Sequence, residues 1–512
     1  MKKHVLVFLL ILHAGHTLLA QSVGAQATRK YVNEQADNII REFVNFLAIP
    51  NIAKDTVNIQ KNTVFIMDMM TRRGIEKVQL LNAATAGAPP AIYGEVNVPG
   101  AKQTLVFYAH YDGQPVNPSQ WTNGLAPFEP KLLNASLDKN GVNIPFPAGG
   151  NHYEPEWRIY ARGASDDKAG VAAILNALDA IKKSGRQPSC NLKFFFEGEE
   201  EAGSTHLNEI LRQHAPLLQS DLWIMCDGPV HQTGKKQIAF GVRGDAHVDL
   251  TVYAAKRPLH SGHYGNWAPN PAMMLAKLLA SMKDDHGRVT IKGFYDDVIP
   301  LTAAEKKALQ EVPAVDEQMK NELGISEAES PGGTLSEAIN QPSLNINGMQ
   351  SGNVGKMASN QIPTFATAVI DLRLVLGNDW KKQQQKIIDH VRAQGYFVID
   401  HEPTDEERKK YGKIIKVIAG DDGYNAQRTS MELPLVKKVI DAVKATTNEQ
   451  VVLQPTMGGS LPLFLFERYL NAKTITVPIA NHDNNQHAEN ENIRLKNFFD
   501  GIETMASLMM IH

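Results

Sequence analysis

Thr104-Leu105-Val106-Phe107-Tyr108-Ala109-His110-Tyr111-Asp112 is an apolar, β-rich run that ends in an imidazole and a carboxylate. The same design recurs twice. Asn191–Phe196 is a second apolar strand, followed by Glu197-Gly198-Glu199-Glu200-Glu201. Leu222–Cys226 is a third, followed by Asp227-Gly228. Between them Ala169–Lys183 has helical periodicity and stops at Gly185, a residue suited to the C′ position. The first half of the chain therefore alternates strands and helices. Its polar residues of interest fall just past the C-terminal ends of strands, where open α/β sheets carry their ligand sites.

Downstream the pattern changes. In Ala246–Tyr253, Val248, Leu250 and Val252 alternate with His247, Asp249 and Thr251, the mark of a half-buried strand. Pro271–Met282 reads as a helix, 284–350 as polar and irregular, Phe365–Leu376 as a long strand and Trp380–Gln394 as a helix. From about Leu433 the helix–strand alternation returns and ends in a helix near Asn492–Met510. These features predict an α/β protein. A domain with a mixed sheet flanked by helices (28–242 and 426–512) is interrupted by an inserted α+β domain (243–425).

Composition sets outer bounds. The chain has 512 residues and a formal net charge of −3, which gives no global field favouring nucleic acid or an anionic membrane. The densest charge run, Asp405–Lys410, is mixed in sign and reads as a solvated face. Two cysteines, Cys190 and Cys226, are too few for a disulfide framework or a thiolate zinc site. Lys2 and Lys3 precede a short apolar stretch, Val5 to Leu12, and small residues follow. That predicts a signal peptide over 1–25, with cleavage after Ala20, Ala25 or Ala27. The mature protein is expected to be secreted or periplasmic, with no membrane association once the signal is removed.

Five segments supply chemistry: Ala109–Asp112, Arg162-Gly163-Ala164-Ser165-Asp166-Asp167-Lys168, Glu197–Glu201, Cys226–Gly228 and Asn485-Gln486-His487-Ala488-Glu489. Two imidazoles with several carboxylates are what a pair of divalent ions about 3.5–4 Å apart requires. His110 and Asp112 flank one residue, so on an extended backbone they point the same way and Asp112 can accept from the far nitrogen of His110. Singly, each segment has an ordinary reading. Ser165 or Asp166 would cap a helix. Glu199, Glu200 and Glu201 would form a solvated turn. Asp227 would sit in a turn with Gly228-Pro229, and His487 would be a surface or core histidine. The set, in this order and at strand ends, favours a metal centre.

Taken together, Tyr108–Asp112, Arg162–Gly170, Glu197–Ser204, Asp227, Leu259-His260-Ser261-Gly262, Gly458-Gly459-Ser460 and His487 resemble the M20 metallopeptidases. The likeness is greatest to their carnosinase and nonspecific dipeptidase branch. Ala169 departs from the pattern, since many relatives have Gly after the Lys. The resemblance implies that His110, Asp166 and Asp227 hold one metal and that Asp166, Glu201 and His487 hold the other. Asp166 would bridge, Glu200 would be the general base, and Asp112 would partner His110. It also implies a cis peptide after Asp166. The inserted domain would be a lid and dimerisation domain of a homodimer. From it His260 would reach the partner's active site, and Arg373 would grip a substrate carboxylate beside Gly459 and Ser460. The expected protein is a dizinc peptidase acting on dipeptides or short peptides with a free C-terminal carboxylate. An N-acyl-amino-acid deacylase is the enzymatic alternative, and a non-catalytic peptide-binding protein the alternative of another class. The M28 aminopeptidases use similar ligands but lack an inserted domain with a His-Ser-Gly segment.

Overall fold

The computed structural model describes residues 2–150, 152–330, 333–459 and 462–511, with side chains from Gly24 onward. Its largest sheet has eight strands. In spatial order they are Glu76–Leu81, Ala91–Val96, Asn191–Glu197, Thr104–His110, Leu222–Met225, Thr474–Thr476, Gln237–Ala239 and Val452–Gln454. The central pairings, Thr104–His110 with Asn191–Glu197 and with Leu222–Met225, are parallel. The edge pairing of Glu76–Leu81 with Ala91–Val96 is antiparallel, so the sheet is mixed.

The opening sequence run is apolar throughout because it buries both of its faces. Leu105, Phe107 and Ala109 join one core, with Phe194, Phe196, Leu222 and Ile224. Val106 and Tyr108 join another, with Phe195, Trp223 and Met225. Alternate side chains of a strand point to opposite faces. Helices Lys168–Lys183 and Leu495–Met509 and the C-terminal end of Lys2–Leu47 pack together on the first face. Helices Leu207–Gln213 and Phe464–Leu470 cover the second. The helix Lys168–Lys183 is closed by Ser184, and Gly185 has φ 73°.

A second sheet has five strands, ordered Ser343–Gln350, Phe365–Leu374, Gly244–Tyr253, Ile414–Ala419 and Phe397–Ile399. Here the period-two pattern is the burial pattern. Val248, Leu250 and Val252 pack with Ala366, Ala368, Ile370 and Leu372 beneath helices Pro271–Ala280 and Trp380–Ala393. The other face carries the polar residues. The chain enters and leaves this part through adjacent strands, because Gly241-Val242 pairs with Gln427-Arg428.

Two expectations need correction. Residues 284–350 are not irregular: they hold helices Ala303–Gln310, Asp316–Leu323 and Leu335–Ile339 and most of a strand, Ser343–Gln350. Short polar helices such as Asp316–Leu323 bury no side chain, so no apolar periodicity betrays them. Ala303–Gln310 packs against strand Val452–Gln454 of the large sheet, with Ala308 in its core. The C-terminal helix begins at Leu495, and Asn492–Arg494 is a strand paired with Arg158–Tyr160. The expected signal segment 1–25 falls mostly on side chains outside those described. Among the described residues no helix is long and apolar enough to cross a membrane.

Candidate active site

His110, the last residue of strand Thr104–His110, is fully buried. Its Nε2 lies 2.9 Å from Asp166 Oδ1, 3.8 Å from Glu200 Oε2 and 4.0 Å from Asp227 Oδ1. Its Nδ1 is 3.3 Å from Asp112 Oδ1 and 3.2 Å from the Asp112 carbonyl oxygen. Asp112 also has a task the sequence did not suggest. Its carboxylate accepts the backbone N–H groups of Glu200 (3.1 Å) and Glu201 (3.0 Å). One side chain therefore fixes the His110 ring and the turn that carries both glutamates.

Asp166 stands between two imidazoles. Oδ1 faces His110, and Oδ2 lies 3.2 Å from His487 Nε2. His487 Nε2 is also 3.4 Å from Glu201 Oε2, which accepts from Gln114 Nε2 at 2.8 Å. Asp166, Glu201 and His487 each place a donor atom within 4.8 Å of the others, and so do His110, Asp167 and Asp227. In the second group Asp167 competes with Asp166 as the ligand. Asp166 fits better, because both Asp167 oxygens are engaged. Oδ2 accepts the His110 N–H, and Oδ1 accepts the Gly170 N–H as the helix cap. The cap is thus Asp167 rather than Ser165 or Asp166. The Asp166–Asp167 peptide is cis. Glu199 turns away from the cluster and pairs with His206 at 2.9 Å.

The loop that carries Asp166 is held by a residue that sequence reasoning missed. Glu491 is fully buried, and its carboxylate accepts from Arg162 Nη1 (2.7 Å) and from the N–H groups of Gly163 (3.0 Å), Ser165 (2.9 Å) and Asp166 (3.0 Å). The Ser165 hydroxyl adds a further bond at 3.0 Å. Arg162 Nη2 donates to the Ala488 carbonyl, next to His487, so two loops far apart in sequence are tied together. The only sequence signal was an acid four residues after His487. Lys168, beside the cluster in sequence, points elsewhere: its Nζ donates to the Phe46 and Ile49 carbonyls.

The electrostatics suit cations. Burial pushes Glu201 up to about 7, helped by Asp166, and Asp227 up to about 6. Burial also holds Glu200 well above the carboxylate range, with Asp227, Glu201 and Asp166 adding to the rise. Burial opposes charge on His110, but its contacts with Asp112 and Asp166 outweigh this and raise it well above the imidazole range. Buried carboxylates crowded this way need positive charge to ionise. The buried oxygens Asp166 Oδ2 and Glu201 Oε1 have no hydrogen-bond partner among the described residues. His487 Nε2 stands 3.2 Å from the former as an ion-pair partner. Oxygen and imidazole donors with unused buried lone pairs fit a pair of divalent ions.

Residues 106–511 match the family described as peptidase family M20/M25/M40. The chain belongs to this family. It is 25% identical over 498 residues to the Cys-Gly metallodipeptidase DUG1 of Candida albicans, covering 93% of this chain and 95% of that protein. It is 23% identical over 500 residues to human Beta-Ala-His dipeptidase, covering 94% and 91%. Its fold is similar to an M20 family metallo-carboxypeptidase from Sulfolobus solfataricus (TM-score 0.72, 28% identity, 92% and 98% covered). It is also similar in fold to human carnosine dipeptidase 1 (TM-score 0.69, 20% identity, 95% and 98% covered). The chain is a metallopeptidase, a dipeptidase-like hydrolase.

The other residues expected at the site of this M20 peptidase lie on other segments. His260 is exposed at the end of the short strand Leu259–His260. Its Nδ1 accepts the Gly262 N–H at 3.0 Å, and its ring lies 4.6 Å from that of His263. Arg373 is on strand Phe365–Leu374, with Nε 3.1 Å from Asp371 Oδ2 and Nη1 3.8 Å from Asp245 Oδ2. Gly459 is exposed, and apart from its chain neighbours no described residue comes within 4 Å of where a Cβ would stand. Ser460 lies outside the described residues.

Proposed function

We propose that this chain is an exported, homodimeric dizinc dipeptidase acting on substrates with a free C-terminal carboxylate. One observation carries the reading: the two Asp166 oxygens face His110 and His487, with Glu200 on one side and Glu201 on the other. His110, Asp166 and Asp227 would hold one ion and Asp166, Glu201 and His487 the other. Bound there, the ions would polarise the scissile carbonyl and acidify water. Glu200 takes the proton from the attacking water and returns it to the amine nitrogen as the C–N bond breaks. Arg373 supplies the donor fork for the substrate carboxylate. Gly459 leaves room for the substrate backbone, with Ser460 beside it.

Among the described residues His260 contacts Gly262 and His263 and no member of the cluster, which supports its service in a second copy. There it would donate to the developing oxyanion. Strand Ser343–Gln350 supports the dimer. It lies at the edge of the five-stranded sheet and exposes Ile346 (48%) and Met349 (51%), and an uncovered strand edge invites pairing. Relatives named for Cys-Gly and for β-Ala-His support a dipeptide substrate. Lys2 and Lys3 ahead of the apolar stretch Val5 to Leu12 support export, and the absence of a basic surplus supports a reaction without nucleic acid. The test is a kinetic panel of dipeptides, their C-terminal amides and N-acyl amino acids, with metal analysis of the same sample. Dipeptides should lead and two zinc ions should be found per catalytic centre. Preference for N-acyl amino acids would make it a deacylase, and no turnover with full metal would make it a binding protein.

A further inference from the structure

Three side chains on the open face of the five-stranded sheet repeat the signature of the candidate metal centre. Asp245 and His247 are two residues apart on strand Gly244–Tyr253, and Asp371 lies opposite His247 on strand Phe365–Leu374. One donor atom from each falls within 4.8 Å of the other two. His247 Nε2 is 3.3 Å from Asp371 Oδ1, and Nδ1 is 4.0 Å from Asp245 Oδ2. The Nε2–Asp371 Oδ1 separation matches the about 3.3–3.5 Å that zinc–donor bonds of about 2.0–2.2 Å at tetrahedral angles put between neighbouring donors.

Asp371 is only 4% exposed, yet among the described residues no donor is hydrogen-bonded to its Oδ1 or to Oδ1 of Asp245, and the two carboxylates lie against each other. Leaving such oxygens buried and unpaired is costly. The same defect marks Asp166 and Glu201 in the catalytic cluster. Arg373 does not fill the gap. It sits on the Oδ2 oxygens of both aspartates, which leaves Asp371 Oδ1 facing His247 Nε2, while Asp245 turns Oδ2 toward His247 Nδ1. Carboxylates that hold a metal through one oxygen commonly accept a hydrogen bond on the other. The His247 side chain is 36% exposed, so an ion can enter from solvent.

We propose that Asp245, His247 and Asp371 form a further divalent-cation site in the inserted domain, separate from the catalytic pair. Its ion is of the zinc class, bound by one imidazole and two carboxylates with open positions for water. Through the second oxygen of Asp371, the ion also steadies the Arg373 guanidinium. The assignment of the site stands on Asp245, His247 and Asp371 alone and does not require Arg373 to touch substrate.

The test is zinc stoichiometry of the full-length protein, by elemental analysis after equilibration in zinc and gel filtration. Wild type should hold three ions per chain, His247→Ala two and Asp166→Ala one. If Asp166→Ala fails to fold, His487→Ala, at an exposed loop position, should lower the count without removing the further ion. Cobalt substitution gives a second readout: His247→Ala should lose one set of d–d bands and keep the rest. Two ions in wild type and in His247→Ala, with identical cobalt spectra, would overturn the proposal and leave the dinuclear centre intact. One ion in wild type, none in His247→Ala and one in Asp166→Ala would uphold the further site and overturn the dinuclear centre.

Discussion

Glu200 owes its position to Asp112, which holds the backbone of Glu200 and Glu201 rather than either carboxylate. The side chain is left facing His110. Glu200→Gln should keep both ions and lose about 10²–10⁴-fold in kcat, the usual share of general-base catalysis. Metal analysis beside steady-state kinetics checks this, and near-normal turnover at full occupancy would move the base elsewhere. Arg373 makes a separate residue-scale claim. Removing a hydrogen bond to a charged group costs about 1.5–3 kcal/mol, or about 10- to 100-fold. Arg373→Met should lower kcat/KM on dipeptides by that much and leave C-terminal amides nearly untouched. An equal loss on both would show that Arg373 does not read the carboxylate.

At the scale of elements, the decisive contact joins loop 162–166 to the turn that precedes strand Asn492–Arg494. Glu491 satisfies the backbone donors of Gly163, Ser165 and Asp166 and the Arg162 guanidinium. Burial raises its own proton affinity, and Arg162 counters that. Glu491→Gln keeps the shape but leaves Arg162 buried without a counter-charge. Breaking a buried pair in this way costs about 3–5 kcal/mol. The variant should melt lower and also lose zinc faster on dialysis, because Asp166 and His487 are no longer held in register. A melting loss with unchanged zinc retention would mean that Glu491 stabilises the fold without positioning the centre.

For the whole molecule, the metal centre couples to pH. Burial raises Glu197 and Glu201 to about 7 and Asp227 to about 6. Their folded-state values exceed the unfolded ones, so the metal-free fold binds extra protons between the ordinary carboxylate range and neutrality. Stability is then full below that window and lost as pH rises through it. His110, also raised, adds a loss of the same sign above the usual imidazole value. Bound metal would take the place of the protons on Glu201 and Asp227. Calorimetry of metal-free protein from about pH 5 to about pH 8 should show a falling Tm, and the gain on adding zinc should grow with pH. A metal-free Tm that rises over this range would contradict the buried-carboxylate account. The proposed dimer gives a second whole-molecule prediction. His260→Ala and Glu200→Gln chains, each inactive alone, should regain part of the activity after subunit exchange. Such a heterodimer has one site with an intact Glu200 and the partner's intact His260. No rescue, with heterodimers formed, would confine His260 to its own chain.

The sequence by itself determined the α/β class, the change of pattern at the second sheet and the residue types available at the strand ends. It did so because burial on two faces or one writes itself into the apolar period of a strand. The run Thr104–Ala109 and the alternation in Ala246–Tyr253 are both local records of environment. The helices within 284–350 left no such record, since their exposed faces impose no period. Only the tertiary structure decided that Asp167 caps the helix while Asp166 faces two imidazoles, that Glu199 leaves the cluster, and that Glu491 gathers a loop some 325 residues away. It alone placed His247 against Asp371. Those choices rest on hydrogen bonds and register between distant segments. Such contacts follow from how the strands pair and how the loops close over them, and no local pattern in the chain encodes them.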